Sequence, residues 1–378
     1  MCSSRLFACV ASTITLLMVF AAGCGPLPGP LPPHVGDANP DTPGTWAVGH
    51  FLFEATDSAR DNRTLKVDVW YPVDSEDATF GGYRTYPMLW WLGITSDIAI
   101  ANAAVSAVED RTLIVFSHGY RSNSIQSAPL METLASHGFI VVSPEHTGNA
   151  QASPTDTWDE AAAKRVPDVS FIIDTMIARS NDPGDVFYGR IDESAFGVTG
   201  HSFGGHTSMG MVVGWAGADP DPRVAAVAPI SGQMDLFEVD LPSVNVPVML
   251  LGGTLDTAVP ITQNDLGFSL IPAPVYQADV IGATHTHFAN ICAIANFLIV
   301  DLGIRMELWP LVGAEALIEP YLETCSPEAL SIDEAHRLQD LYVVAFFKKH
   351  LLGLTDYDLY LTQAYTDANE PNANFKAK

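Results

Sequence analysis

Apolar residues along this chain recur with two periods, and the periods take turns. Leu65 to Trp70 alternates apolar and polar side chains, the period-two pattern of a half-buried strand. Thr112 to Phe116 and Phe139 to Val142 are short β-branched and aromatic runs, the mark of strands buried on both faces. Between them, Pro129 to His137 has helical spacing, and Val169, Ile172, Ile173 and Met176 make a second helix face. Val198 leads into a glycine-rich turn; Val224–Ile230, Val246–Leu251 and Val275–Ile281 supply further strands. Glu334 to Leu352 is a long closing helix with Leu338, Leu341, Val344 and Ala345 on one side. Strands alternating with helices predict an α/β fold: a mostly parallel central sheet with helices on both faces. In such sheets, active groups sit on loops leaving the carboxyl ends of strands.

One such loop carries chemistry. Residues 196–205 read Phe-Gly-Val-Thr-Gly-His-Ser-Phe-Gly-Gly, an apolar strand running into Gly-x-Ser-x-Gly and then a helical run. A serine on a tight strand-to-helix turn keeps its hydroxyl exposed, and Gly200 and Gly204 leave room for the crowded backbone. Ser202 is therefore the candidate nucleophile, against the plainer reading of a glycine-rich turn.

A serine hydroxyl needs a base, and the base needs a carboxylate that fixes its tautomer. Asp256 sits just past the strand Val246–Leu251, where an orienting acid belongs; Asp235 and Asp265 are less well placed rivals. Ile281-Gly-Ala-Thr-His-Thr-His-Phe288 offers His285 and His287, two residues apart, and spacing alone does not choose between them. His118, His146 and His201 are poorer rivals: His118 belongs to a different turn, and His201 neighbours the serine and is expected to pack beneath it. The order Ser, Asp, His along the chain is the one α/β-hydrolases use. The oxyanion needs two preorganised donors. The backbone N–H of Phe203 supplies one, and Phe116-Ser-His-Gly-Tyr120 fits the second, with Tyr120 offering its N–H; the plainer reading of His-Gly-Tyr is an ordinary turn. No acid or cysteine cluster completes a metal site around the two histidines, so neither metal nor cofactor is expected.

The N-terminus reads as an address. Arg5, the apolar run Ile14 to Ala22 and Ala21-Ala22-Gly23-Cys24 describe a secretory signal over 1–23, with a lipoprotein-type ending that puts lipid on Cys24. Ala21 departs from the leucine usual in such signals, and simple secretion is the alternative. Residues 24–45, rich in Pro and Gly, read as a tether, 46–362 as one domain, and 363–378 as a tail. Cys2 and Cys9 leave with the signal, so Cys292 and Cys325 are the pair available for a disulfide in an oxidising compartment; two free buried thiols are the alternative. The formal charge of −26, from 18 basic and 44 acidic residues, argues against nucleic acid and against electrostatic docking on anionic lipid. That leaves the N-terminal lipid as the membrane contact.

Taken together, these motifs resemble the bacterial relatives of platelet-activating-factor acetylhydrolase and the predicted dienelactone-hydrolase group, with cutinase-like polyester hydrolases as cousins. Val67-Asp-Val-Trp-Tyr-Pro72 is similar to the family's opening strand, followed by Phe116-Ser-His-Gly-Tyr120, Leu134-Ala-Ser-His-Gly-Phe139, Gly200-His-Ser-Phe-Gly204 and Gly253-Thr-Leu-Asp256. Ala345-Phe-Phe-Lys-Lys-His-Leu-Leu-Gly353 resembles its closing helix. The resemblance implies the α/β-hydrolase fold and a serine carboxylic-ester hydrolase acting on short-chain acyl esters, short-acyl phospholipids or polyesters. Family members carry Gly-x-x-His in the base loop, which Gly282-Ala-Thr-His285 fits; cutinases have His-Phe adjacent, which His287-Phe288 mimics. His285 is preferred. Residues 289–333 depart from compact cutinases and read either as a lid, stapled at its base by the Cys292–Cys325 bridge, or as a peripheral helical hairpin. Tyr120, Phe203 and Trp158 are candidate cleft residues, and a monomer is expected. Two other functions use the same scaffold: a surface binding protein that has lost its chemistry, and an acyltransferase that excludes water.

Overall fold

The computed structural model describes residues 39–378 apart from 75–77, 79–81 and 90–91, so the signal, Cys24 and most of the tether lie outside the described residues. The strands are β1 (Ala47–Asp57), β2 (Arg63–Val73), β3 (Tyr83–Leu89), β4 (Leu92–Ala101), β5 (Arg111–Ser117), β6 (Ile140–Glu145), β7 (Ile191–His201), β8 (Val224–Ile230), β9 (Val248–Gly253), β10 (Val275–Val280) and β11 (Ala373–Ala377). Among the described residues they form one sheet in the order β11-β10-β9-β8-β7-β5-β6-β2-β1-β4-β3. From β6 through β10 every neighbouring pair is parallel, while β2 pairs antiparallel with both β1 and β6. The helices are α1 (Ala128–Ser136), α2 (Trp158–Asn181), α3 (Phe203–Val213), α4 (Thr262–Leu270), α5 (Ile291–Asn296), α6 (Ile318–Thr324), α7 (Ile332–Leu352) and α8 (Gln363–Asn369).

Period-two alternation divides the central strands between two cores. In β5, Ile114 and Phe116 join the core under α1 and α7, and Leu113 and Val115 join the core under α2 and α3. All four are fully buried, as a strand covered on both faces requires. The closing helix packs Leu338, Leu341, Val344 and Ala345 into the first core, and the face Val169–Ile172–Ile173–Met176 packs into the second. A capping box starts α2: Glu160 N–H donates to Thr157 Oγ1, and Thr157 N–H donates to Glu160 Oε2 at 2.9 Å.

Two expectations need correction. The strand around Leu65–Trp70 is not half-buried. Asp68 is 2 % exposed and accepts from His50 Nε2 at 2.9 Å and Ser124 Oγ at 2.5 Å, so its polar character marks an internal hydrogen-bond cluster rather than a solvent face. Nor do residues 363–378 form a tail. They fold as α8 and then β11, which pairs antiparallel with β10 and buries Phe375 against Tyr342 at a ring separation of 5.2 Å.

Candidate active site

Three strand ends converge on the elbow after β7. Ser202 sits at φ 57°, ψ −117°, a region that non-glycine residues rarely occupy, and its N–H donates to Ile230 O at 2.9 Å. The elbow lies hard against the end of β5. A Cβ added at Gly204 would stand 1.7 Å from Ser117 O, and one added at Gly200 would stand 2.5 Å from the same oxygen. Those contacts, rather than chain flexibility, demand the two glycines. Phe203 opens α3, where first-turn N–H groups have no intrahelical acceptor. The Gly119–Tyr120 loop passes close by: a Cβ added at Gly119 would lie 3.6 Å from Ser202 Cβ.

The acid and the base meet. His285 Nδ1–H donates to Asp256 Oδ2 at 2.7 Å, while Asp256 Oδ1 accepts the N–H groups of Ala258 and Val259 at 2.9 and 2.8 Å. Burial works to raise the Asp256 carboxyl, but the His285 bond and charge together with the Val259 N–H hold it below its ordinary value. With Asp256 on Nδ1, His285 presents Nε2, and its side chain is 21 % exposed.

The two histidines that spacing leaves open have different surroundings. His287 is fully buried; its Nδ1 accepts from Thr284 N–H at 2.9 Å, and its Nε2–H donates to Leu330 O at 3.0 Å. Both ring nitrogens are thus engaged, Nδ1 within its own loop and Nε2 on the segment before α7. Asp256 faces His285 instead. Asp235 and Asp265 are engaged elsewhere, with Gln263 and with Lys376 and Gln277 respectively.

His201 is 3 % exposed beneath the elbow and links the parts of the site. Gln126 Nε2–H donates to His201 Nδ1 at 2.6 Å, and His201 Nε2–H donates to His285 O at 2.8 Å. Burial first, then the charge of His285, pulls His201 down to about 3, so it is neutral and fixed in one tautomer. Residues 289–333 brace the base loop from the other side. Cys292 and Cys325 are bonded, and the adjacent Thr324 Oγ1 lies 2.6 Å from Thr286 Oγ1 and 3.0 Å from Thr284 Oγ1.

Around the serine lies an aromatic group. Trp158 is 40 % exposed and meets Phe203 edge-on at 5.3 Å, and Tyr120 is 5.4 Å from Phe203. The Phe203 ring itself is 1 % exposed, so it does not line an open cleft as a side chain; what it can offer a substrate is its N–H. Trp215, which packs on both Trp158 and Phe203 at 5.8 and 5.0 Å, belongs to this group and escapes a sequence reading. So does Gln126, whose partners are set by tertiary contact. Arg165 is legible in part, since it shares a helix stripe with the apolar Ala161, Ala162 and Val169, a position from which a charge must point inward.

Known proteins match much of this chain. The PET hydrolase-like family matches residues 103–294, just over half of the chain, and that span holds Tyr120, Ser202, Asp256 and His285. Cutinase 2 of Thermobifida cellulosilytica is 29% identical over 175 residues, 46% of this chain and 59% of its own length. Cutinase cut1 of Thermobifida fusca is 29% identical over 175 residues, 46% of this chain and 49% of its own length. Chlorophyllase-1 of Citrus sinensis is 26% identical over 251 residues, covering 64% and 69% of the two chains. The chain thus spans about half to three fifths of the length of these two cutinases. A solved ferulic acid esterase from Streptomyces cinnamoneus superposes with a TM-score of 0.63 at 24% identity, over 82% of this chain and 92% of that one. That likeness is one of fold, and the fold is that of the α/β-hydrolases. Among the motif-based resemblances, the comparisons support the cutinase-like one.

Proposed function

The chain belongs to the PET hydrolase-like family, and from that premise we propose that it is a serine carboxylic-ester hydrolase working through an acyl-enzyme. The observation that carries the reading is the 2.7 Å bond from His285 Nδ1–H to Asp256 Oδ2 on a fold whose strained elbow presents Ser202. His285 Nε2 takes the Ser202 hydroxyl proton as Oγ attacks the acyl carbon. The carbonyl π-pair moves onto oxygen, which the N–H groups of Tyr120 and Phe203 receive. Collapse expels the alcohol, protonated by His285, and leaves the acyl group on Ser202. Water, deprotonated by the same imidazole, repeats the attack and releases the acid. Asp256 holds His285 in the Nδ1–H tautomer and stabilises the imidazolium. Each oxyanion donor is expected to contribute on the order of 10²–10³-fold in turnover.

The substrate class follows from the relatives' names: cutinase, PET hydrolase and ferulic acid esterase are all names of ester-cleaving proteins. Short-chain acyl esters come first, polyesters second, and short-acyl phospholipids third on the platelet-activating-factor acetylhydrolase resemblance. The signal and Cys24 support export with a lipid anchor, and among the described residues no helix is long and apolar enough to cross a membrane. The test is hydrolysis of p-nitrophenyl acetate and butyrate by the parent and by Ser202→Ala. The parent turns over and the variant loses about 10⁴-fold or more; a variant with near-parental rates refutes the reading.

A further inference from the structure

Arg165 is fully buried in α2 and aims its guanidinium at the loop after β5. Nη1 donates to Ser117 Oγ at 3.0 Å and to His118 O at 2.5 Å; Nη2 donates to Gly119 O at 3.1 Å and to Asn149 Oδ1 at 2.5 Å. The Gly119 oxygen has a second donor, His118 Nδ1–H at 2.8 Å, and the proton sits on Nδ1 because Nε2 accepts from His146 N–H at 3.1 Å. Gly119 N–H in turn donates to Gln126 Oε1 at 2.7 Å.

A trans peptide is planar, with its C=O and N–H pointing in opposite directions. In the peptide joining His118 to Gly119, both polar groups are tied within the protein. In the next peptide, joining Gly119 to Tyr120, the oxygen is held by Arg165 and His118. Its N–H, the Tyr120 donor, is thereby turned away from Arg165. We propose that Arg165 is a positioning residue for the oxyanion hole: it locks the Gly119–Tyr120 peptide in the orientation that offers the Tyr120 N–H, and polarises that peptide from behind. This rests on the ester-hydrolase reading above.

The support beneath Arg165 is itself rigid. Ser117 Oγ–H donates to His146 Nε2 at 3.0 Å, His146 Nδ1–H donates to Asp168 Oδ2 at 2.9 Å, and Asp168 is clamped by Arg60 and Arg63 at 2.7 Å. This serine–histidine–aspartate arrangement has the bonding of a catalytic relay. At no more than 1 % exposure no substrate reaches it, and it aligns the arginine instead. Burial pulls the guanidinium down to about 9, which leaves it cationic at neutral pH. A lysine presents its hydrogens from one point and does not reproduce a fork that reaches two carbonyls and two side-chain oxygens.

The experiment compares the parent with Arg165→Lys on p-nitrophenyl butyrate, with rates normalised to sites titrated by a fluorophosphonate. Affinity for an alkyl trifluoromethyl ketone, which forms a tetrahedral adduct with the serine, is measured on both. A misaligned donor lowers kcat by about 10²-fold with KM changed less than about threefold, and weakens the ketone in proportion to the loss in kcat/KM. A purely structural arginine lowers the titratable fraction or the melting temperature but leaves kcat per site and ketone affinity at parental values, which overturns the proposal. If Arg165→Lys does not fold, a crystal structure of the parent's phosphonate adduct decides. Tyr120 N–H on the phosphoryl oxygen, with Gly119 O still on Arg165, is required; a Gly119–Tyr120 peptide turned the other way overturns it. An inert parent, or an active Ser202→Ala, refutes the ester-hydrolase reading and is distinct from either outcome.

Discussion

The imidazole of His201 donates its Nε2–H to the main-chain oxygen of His285 at 2.8 Å, so the residue before the candidate nucleophile holds the loop that carries the candidate base. The rings lie 4.6 Å apart, which leaves little room for that loop to drift. His201→Phe keeps the ring but removes the donor and strands Gln126 Nε2. A shift of about 1 Å in a reacting group is worth up to about 10²-fold, so kcat/KM on a short-chain ester should fall about 10- to 10²-fold while circular dichroism stays parental. Unchanged kinetics would show that the Thr284 and Thr286 contacts to Thr324 suffice to hold the loop.

How much of this arrangement the chain declares follows the reach of each interaction. Ser202 and Asp256 are legible because their signals are local, a strand followed at once by a turn of fixed composition. His285 and His287 are not separable by spacing, because the carbonyl that occupies His287 belongs to Leu330, 43 residues later. Gln126 is 75 residues from the histidine it orients, and nothing in Ser-Asn-Ser-Ile-Gln announces that. The strand β11 is hidden for the same reason. Ala-Asn-Phe-Lys-Ala alternates weakly, and its pairing with β10 is non-local. Asp68 errs in the opposite direction, since a polar residue in a period-two pattern reads as solvent-facing until its partners are in view.

The Cys292–Cys325 bridge closes a loop across a sequence separation of 33 and anchors the segment that contacts the base loop. Replacing both cysteines by serine should lower the urea-extrapolated unfolding free energy by about 2–4 kcal/mol, and should also reduce kcat because Thr324 loses its anchor. Parental stability with parental kcat would remove the bridge from any supporting role.

Glu132 gives the fold a defined pH response. It is 8 % exposed, accepts from Tyr86 Oη at 2.6 Å, and is pushed up to about 7, chiefly by burial. Between the ordinary value of 4.5 and about 7 the folded state binds the proton that the unfolded state has lost. Its contribution is therefore complete below 4.5 and declines as pH rises through about 7, by on the order of 3 kcal/mol. In Glu132→Gln, urea midpoints measured from pH 4.5 to 8 should show a smaller decline than the parent; an identical slope would place the titration elsewhere.

At Gly204 the constraint is steric. Gly204→Ala would put a methyl 1.7 Å from Ser117 O and 2.5 Å from Ser117 C, both backbone atoms of β5, so relief requires moving a strand. The expected result is loss of soluble protein or destabilisation by more than about 4 kcal/mol. Soluble protein of parental melting temperature would contradict the close approach of elbow and strand.

The central claim is that Ser202 is activated by His285 and not by His287. Intact mass after brief treatment with a fluorophosphonate, run on the parent, Ser202→Ala, His285→Gln and His287→Gln, tests it most directly. The account predicts rapid single labelling of the parent, none of Ser202→Ala, labelling slowed by about 10³-fold or more in His285→Gln, and continued labelling of folded His287→Gln. Rapid labelling of His285→Gln, or labelling of Ser202→Ala at the parental rate, would contradict it.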